Sequence, residues 1–90
     1  GVWGQRHLRY IREHKKALYT SLLTSGRLHS YLADVEEQAQ ELFDRLMKQR
    51  AEREGITETL KTDNQMEWVQ RMNALRLAVT ETVNAEVIFV

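Results

Sequence analysis

Leu28, Leu32, Val35, Ala39, Leu42 and Leu46 follow one another at steps of four, three, four, three and four residues, with Glu, Asp, Gln and Arg filling the places between. A period of 3.5 residues lines all six along one stripe of a helix, and such a stripe is buried by a second helix lying lengthwise against it. Four glycines, no proline and an abundance of Ala, Leu, Gln, Glu, Arg and Lys carry the helical reading through the rest of the chain. The expected class is all-α. Ninety residues suit one domain, residues 1–90, that buries only part of its surface and gains from a partner.

Three helices account for the pattern. The first is predicted from about Gly4 to Ser25, stopped by Gly26, with Leu8, Ile11, Leu18 and Leu22 on its apolar arc. Lys15 falls inside that arc, and Trp3, His7 and His14 flank it. The second runs from Leu28 to Glu54, carries Asp34, Glu37, Glu41 and Asp44 outward, and stops at Gly55. Thr57 is the expected N-cap of the third, with Glu58 in its first turn, where a negative charge meets the positive helix end. Its stripe is Leu60, Trp68, Met72, Leu75, Val79 and Val83.

A short turn at Gly55 makes the second and third helices antiparallel. Equal distances from that turn set Leu42 against Val69, Ala39 against Met72, Val35 against Leu75 and Leu32 against Val79. The first helix folds back through residues 24–27 to close a three-helix bundle with a long antiparallel helical hairpin. The third helix outruns the second, so Val87, Ile88, Phe89 and Val90 are expected to project beyond the hairpin. Met66, Leu77 and Ile88 lie opposite the core stripe. Such a surface calls either for a helix-mediated homodimer or for a monomer in which the first helix or a preceding segment covers the patch.

No cysteine means no disulfide framework, which is compatible with a reducing compartment, so a cytoplasmic location is expected. No apolar run approaches the roughly 20 residues of a membrane span. The chain opens Gly-Val-Trp without an initiator methionine, and a native N-terminal segment is expected to be missing.

The formal net charge is zero, but the charges are segregated: residues 1–29 hold six Lys/Arg against one Glu, whereas residues 30–67 hold ten Asp/Glu against five Lys/Arg. Arg9, Arg12 and Lys16 form an exposed ridge on the first helix, with Arg6 toward the side carrying Tyr10. Such a ridge is the minimum for phosphate contact. The plainer reading of the ridge is a solvated face, or a helix drawn to the acidic second helix. Tyr10, Tyr19 and Trp3 could stack on bases or sit in the core. A helix-turn-helix around Gly26 fits poorly, because Leu22 stands where a small residue is needed and the second helix is long and acidic. His7 and His14 are seven residues apart with no Cys or carboxylate at matching spacing, so no metal site is expected. Glu13, Glu36 and Glu37 form no evident acid–base pair. Gly-rich phosphate loops and nucleophile motifs are missing. No enzyme activity, cofactor or small-molecule substrate is expected.

Five strings spread over nearly the whole chain resemble the transposon-encoded TnpV family of bacterial mobile elements. They are Trp-Gly-Gln-Arg-His-Leu-Arg-Tyr at 3–10, Leu-Tyr-Thr-Ser-Leu-Leu-Thr-Ser-Gly at 18–26, Ser-Tyr-Leu-Ala-Asp at 30–34, Asn-Gln-Met-Glu-Trp-Val at 64–69 and Asn-Ala-Glu-Val-Ile at 84–88. The resemblance implies a mobile-element setting and a further N-terminal segment, and it brings no catalytic residue with it. Two readings of function follow. In the first, the chain is an accessory factor that assists excision or transfer by binding DNA or a recombinase, with Arg6, Arg9, Arg12 and Lys16 on phosphates. In the second, it is a protein-interaction or dimerisation module in which Met66, Leu77, Val87, Ile88, Phe89 and Val90 dock a helix.

Overall fold

The computed structural model describes residues 1–90, and every regular element in it is helical. In chain order these are α1 (Val2–His14), α2 (Lys16–Thr24), α3 (Leu28–Arg53), α4 (Glu58–Asp63), α5 (Gln65–Val83) and a terminal π-helical segment (Asn84–Ile88). The all-α class agrees with the sequence, but two of the expected continuous rods are broken.

The first break is at Lys15, whose φ of −132° and ψ of 56° leave the helical region and separate α1 from α2. Lys15 sits on the stripe that also carries Ile11 and Leu22, both of which are buried. A straight helix would aim its ammonium at the packed side, where an unpaired charge is costly. The break leaves Lys15 exposed.

The second break is at Asn64, with φ −149° and ψ 83°. Its Oδ1 accepts the Glu67 N–H at 3.1 Å, and its Nδ2 lies 3.4 Å from the Glu67 carboxylate. Asn64 is therefore the N-cap of a new helix, while its own backbone N–H stays bonded to the Leu60 carbonyl at 2.7 Å. Thr57 caps α4 as expected, its hydroxyl accepting from the Leu60 N–H at 3.2 Å.

Gly26 and Gly55 end α2 and α3 with φ of 75° and 72°. In each case the glycine N–H bonds three residues back and the next N–H bonds five back: Gly26 to Leu23 and Arg27 to Leu22, Gly55 to Glu52 and Ile56 to Ala51. This paired closure needs a left-handed residue, which glycine supplies without a Cβ clash. At the second turn it also drops Ile56 into the core at 5% exposure.

The insertion of α4 shifts the register between α3 and α5. The Arg71 guanidinium donates to the carbonyl of Glu54, at the end of α3, and α4 packs on α5 alone. Leu42 therefore does not meet Val69, which is 41% exposed. The expected alignment is overturned because about two turns of α4 separate the Gly55 turn from the start of α5. The molecule is a rod of 55 × 19 × 17 Å.

Trp3, Val35, Ala39, Ile56, Leu75, Val79, Val83 and Ile88 form the buried cluster, with Tyr31, Leu42, Phe43, Leu46, Met47, Trp68 and Met72 packed around it. Ile88 was expected to project with the tail, yet it is fully buried. The π winding is the cause. Core positions on α5 run Leu75, Val79, Val83, and a continued α-helix would next turn Glu86 and Val87 inward. The Phe89 N–H instead bonds the Asn84 carbonyl at 2.8 Å, five residues back, and the extra residue in that turn brings Ile88 onto the core side.

Ile88→Ala is expected to cost roughly 2–5 kcal/mol by urea denaturation. Leu77→Ala, at a residue 63% exposed, is expected to stay within about 0.5 kcal/mol of the parent. Equal losses would show that the tail is not part of the core.

Candidate nucleic-acid interface

Helix α1 is held from two sides. On the α3 side, Gly4 comes so close that an added Cβ would lie 3.2 Å from the Leu32 carbonyl oxygen. The Gly4 N–H donates to Glu36 Oε1 at 2.7 Å, so a carboxylate of α3 satisfies an amide in the first turn of α1, where negative charge is favoured. Trp3 is buried against Phe43, ring centroids 5.7 Å apart, and its Nε1–H donates to Gln40 Oε1 at 3.1 Å.

On the other side, His7 is fully buried and reaches two distant parts of the chain. Its Nδ1 lies 2.7 Å from the Ile88 carbonyl oxygen and its Nε2 lies 2.7 Å from the Tyr31 hydroxyl. A carbonyl can only accept, which places a proton on Nδ1; in the neutral ring, Nε2 then accepts from Tyr31. His7 was expected to flank the apolar arc of the first helix. It is a core residue bonded to a backbone carbonyl and a phenol. His14 is exposed, 3.8 Å from Glu13, and no three His, Asp or Glu side chains gather as a ligand set.

With its inner face so fixed, α1 turns its cations outward. Arg9, Arg12 and Lys16 are exposed, and Arg6 is half-buried. Arg6 donates through Nη1 to Asn84 Oδ1 at 2.7 Å and lies over the Trp3 ring at 5.1 Å. Arg12 crosses the Lys15 break to sit over the Tyr19 ring at 5.6 Å. No carboxylate lies within 4.0 Å of Arg9, Arg12 or Lys16; the Arg–carboxylate pairs of the molecule are Arg50–Glu54 and Arg71–Glu67. Asp34, Glu37, Glu41 and Asp44 remain exposed on α3 without engaging this face. Lys16 opens α2 rather than continuing α1, so the expected single ridge is split between two helices.

The residues of the expected docking face are dispersed. Met66 is 71% and Leu77 63% exposed on α5, and Phe89 and Val90 are exposed at the terminus. Val87 is half-buried against the core, and buried Ile88 cannot belong to any outer face. Sequence reasoning missed Glu36, Gln40, Tyr31 and Asn84 as partners that position α1. Only tertiary contact reveals them.

The fold and this corner define a small all-helical protein whose first helix presents unpaired cations beside aromatic rings. The family model described as "Transposon-encoded protein TnpV" matches residues 1–88, and the chain belongs to that family. No curated protein and no solved structure matches it. No helix is long and apolar enough to cross a membrane.

Burial raises the Tyr31 phenol above its ordinary value of 10.0. The partly buried phenol keeps its proton in the fold at a pH where the unfolded chain releases it. The stabilisation is complete below about pH 10 and is lost as pH rises through the folded value. Tyr31→Phe is expected to make the urea midpoint fall less steeply above pH 10. At neutral pH it is expected to destabilise by about 1–3 kcal/mol, because His7 Nε2 loses its partner. An unchanged alkaline slope would overturn the assignment.

Proposed function

We propose that this transposon-encoded chain is a non-enzymatic accessory protein that assists excision or transfer by contacting DNA near an element end or the recombinase seated there. Its frame on this reading is a three-helix bundle of α1, α3 and α5, with α3 and α5 as a long antiparallel hairpin. Arg9, Arg12 and Lys16 meet the phosphates and Arg6 assists. The observation that supports this is the absence of any carboxylate partner for those three side chains, although α3 carries four exposed acids. A cation that served only to hold α1 on the acidic helix would be paired with it.

A second reading, an interaction or dimerisation module, is favoured by the exposure of Met66 and Leu77 on α5. Its residues are Met66 and Leu77 with Phe89 and Val90. Light scattering at micromolar concentration separates a homodimer from a monomer, and a monomer there rules out the dimer.

In an electrophoretic shift series with element-end DNA, affinity is expected to fall steeply with salt. The Arg9→Ala/Arg12→Ala/Lys16→Ala variant is expected to lower the log–log salt slope by about 2.7, the equivalent of three phosphate contacts. No retardation at low salt would sink direct contact.

A further inference from the structure

Where α1 meets the chain terminus, Arg6, Arg9, Tyr10, Glu13, His14 and Phe89 line a notch of about 150 Å³. Its rings form a connected set. Tyr10 stands 5.5 Å from Phe89 at 52° and 5.3 Å from His14 at 40°, and it stacks on buried His7 at 6.2 Å. Phe89 is 47% exposed, so much of its face is left for another planar group. Arg6 spends one nitrogen on Asn84 and keeps further donors, since a guanidinium carries five N–H groups. Arg9 has no carboxylate partner. The one ion pair of Glu13 is with His14, at 3.8 Å, and no hydrogen-bond donor engages its oxygens.

Three chemistries thus converge: cations that suit a phosphate, aromatic faces that suit a base, and a carboxylate that only accepts. Paired bases in a duplex hide their faces in the stack, whereas an unpaired base offers its face to aromatic side chains. A carboxylate at the edge of a base accepts from an exocyclic amine, such as cytosine N4, and opposes thymine, which presents a carbonyl there. Resting on the DNA-contact reading above, we propose that this notch binds one unpaired nucleotide of single-stranded DNA. The phosphate lies on Arg6 and Arg9, the base lies against Tyr10 and Phe89, and Glu13 accepts from an amine-bearing base.

The test is fluorescence anisotropy at low salt with the full 90-residue chain and three labelled probes: oligo-dC, oligo-dT and a duplex of equal length. Oligo-dC is expected to bind about tenfold more tightly than oligo-dT, the discrimination that one base-edge contact supplies. Phe89→Ala is expected to weaken oligo-dC about tenfold while leaving duplex affinity unchanged, and Phe89→Trp to restore it. Phe89 is exposed, so this variant keeps the fold, and an unaltered thermal midpoint verifies that. Glu13→Gln brings the dC and dT affinities together, because an amide both donates and accepts. Equal affinity of the parent for dC and dT, or a duplex bound as tightly as oligo-dC with no effect of Phe89→Ala, overturns the notch and leaves phosphate contact standing. Failure to bind all three probes overturns both.

Discussion

One imidazole ties together three parts of the chain that are distant in sequence. His7 lies on α1, Tyr31 on α3 and Ile88 at the end of the π-helical segment, and both ring nitrogens are used. The Ile88 carbonyl belongs to the last turn of the final helix, where backbone acceptors have no partner within the helix. Burying Ile88 carries that carbonyl toward the interior, where an unmade hydrogen bond costs about 1–3 kcal/mol. His7 supplies the donor, so the apolar gain from Ile88 is kept. No buried side-chain nitrogen or oxygen in the molecule lacks a partner, which makes this polar group in an otherwise apolar core compatible with a single packed arrangement.

The same arrangement decides which side of α1 faces water. Gly4 lets the helix approach the backbone of α3, the Glu36 carboxylate receives its amide, and Trp3, His7 and Ile11 face inward. These positions recur at steps of four, which leaves Arg9 and Arg12 on the outer surface, while Arg6 is steered sideways onto Asn84. The π-helical segment therefore has two effects through one local change of winding. It turns Ile88 into the core, and it brings Asn84 and Phe89 alongside Arg6 and Tyr10.

Much of this was legible in the sequence wherever a signal is local. The α3 stripe, the glycine stops at Gly26 and Gly55, and the Thr57 cap all depend on periodicity or on the chemistry of one residue. Asn64 was also readable, since Asn followed three residues later by Glu is a helix-start signature; the long apolar stripe around it masked the cap, and the register error followed. Lys15 within an apolar arc marked a conflict but not its resolution, because whether a helix bends or a lysine reaches outward depends on what packs beside it. The π winding had no local mark at all. It follows from the competition between Glu86 and Ile88 for the inner position, and that is settled by the cavity between α1 and α3 and by the donor on His7. The unpaired state of Arg9, Arg12 and Lys16 is equally a tertiary fact: the acids exist in the sequence, and only the fold shows that they do not reach.

A net charge of zero would ordinarily argue against attraction to a polyanion. The dimensions of the molecule weaken that objection. Screening acts over about 8 Å at physiological ionic strength, while the rod is 19 × 17 Å in section, so charges on different faces are felt separately by a ligand close to one of them. The α1 side is cationic and the exposed side of α3 is anionic, an asymmetry that on the proposed reading would orient a phosphate chain toward α1 without drawing it from afar. Short-range contacts must then supply most of any affinity, and rings beside the cations are the groups suited to that. Met66 stands at the opposite end of the α5 axis from Phe89, roughly 35 Å away at 1.5 Å per residue. Self-association through Met66 alone would leave the notch open, whereas docking through Phe89 would compete with a strand for the same ring.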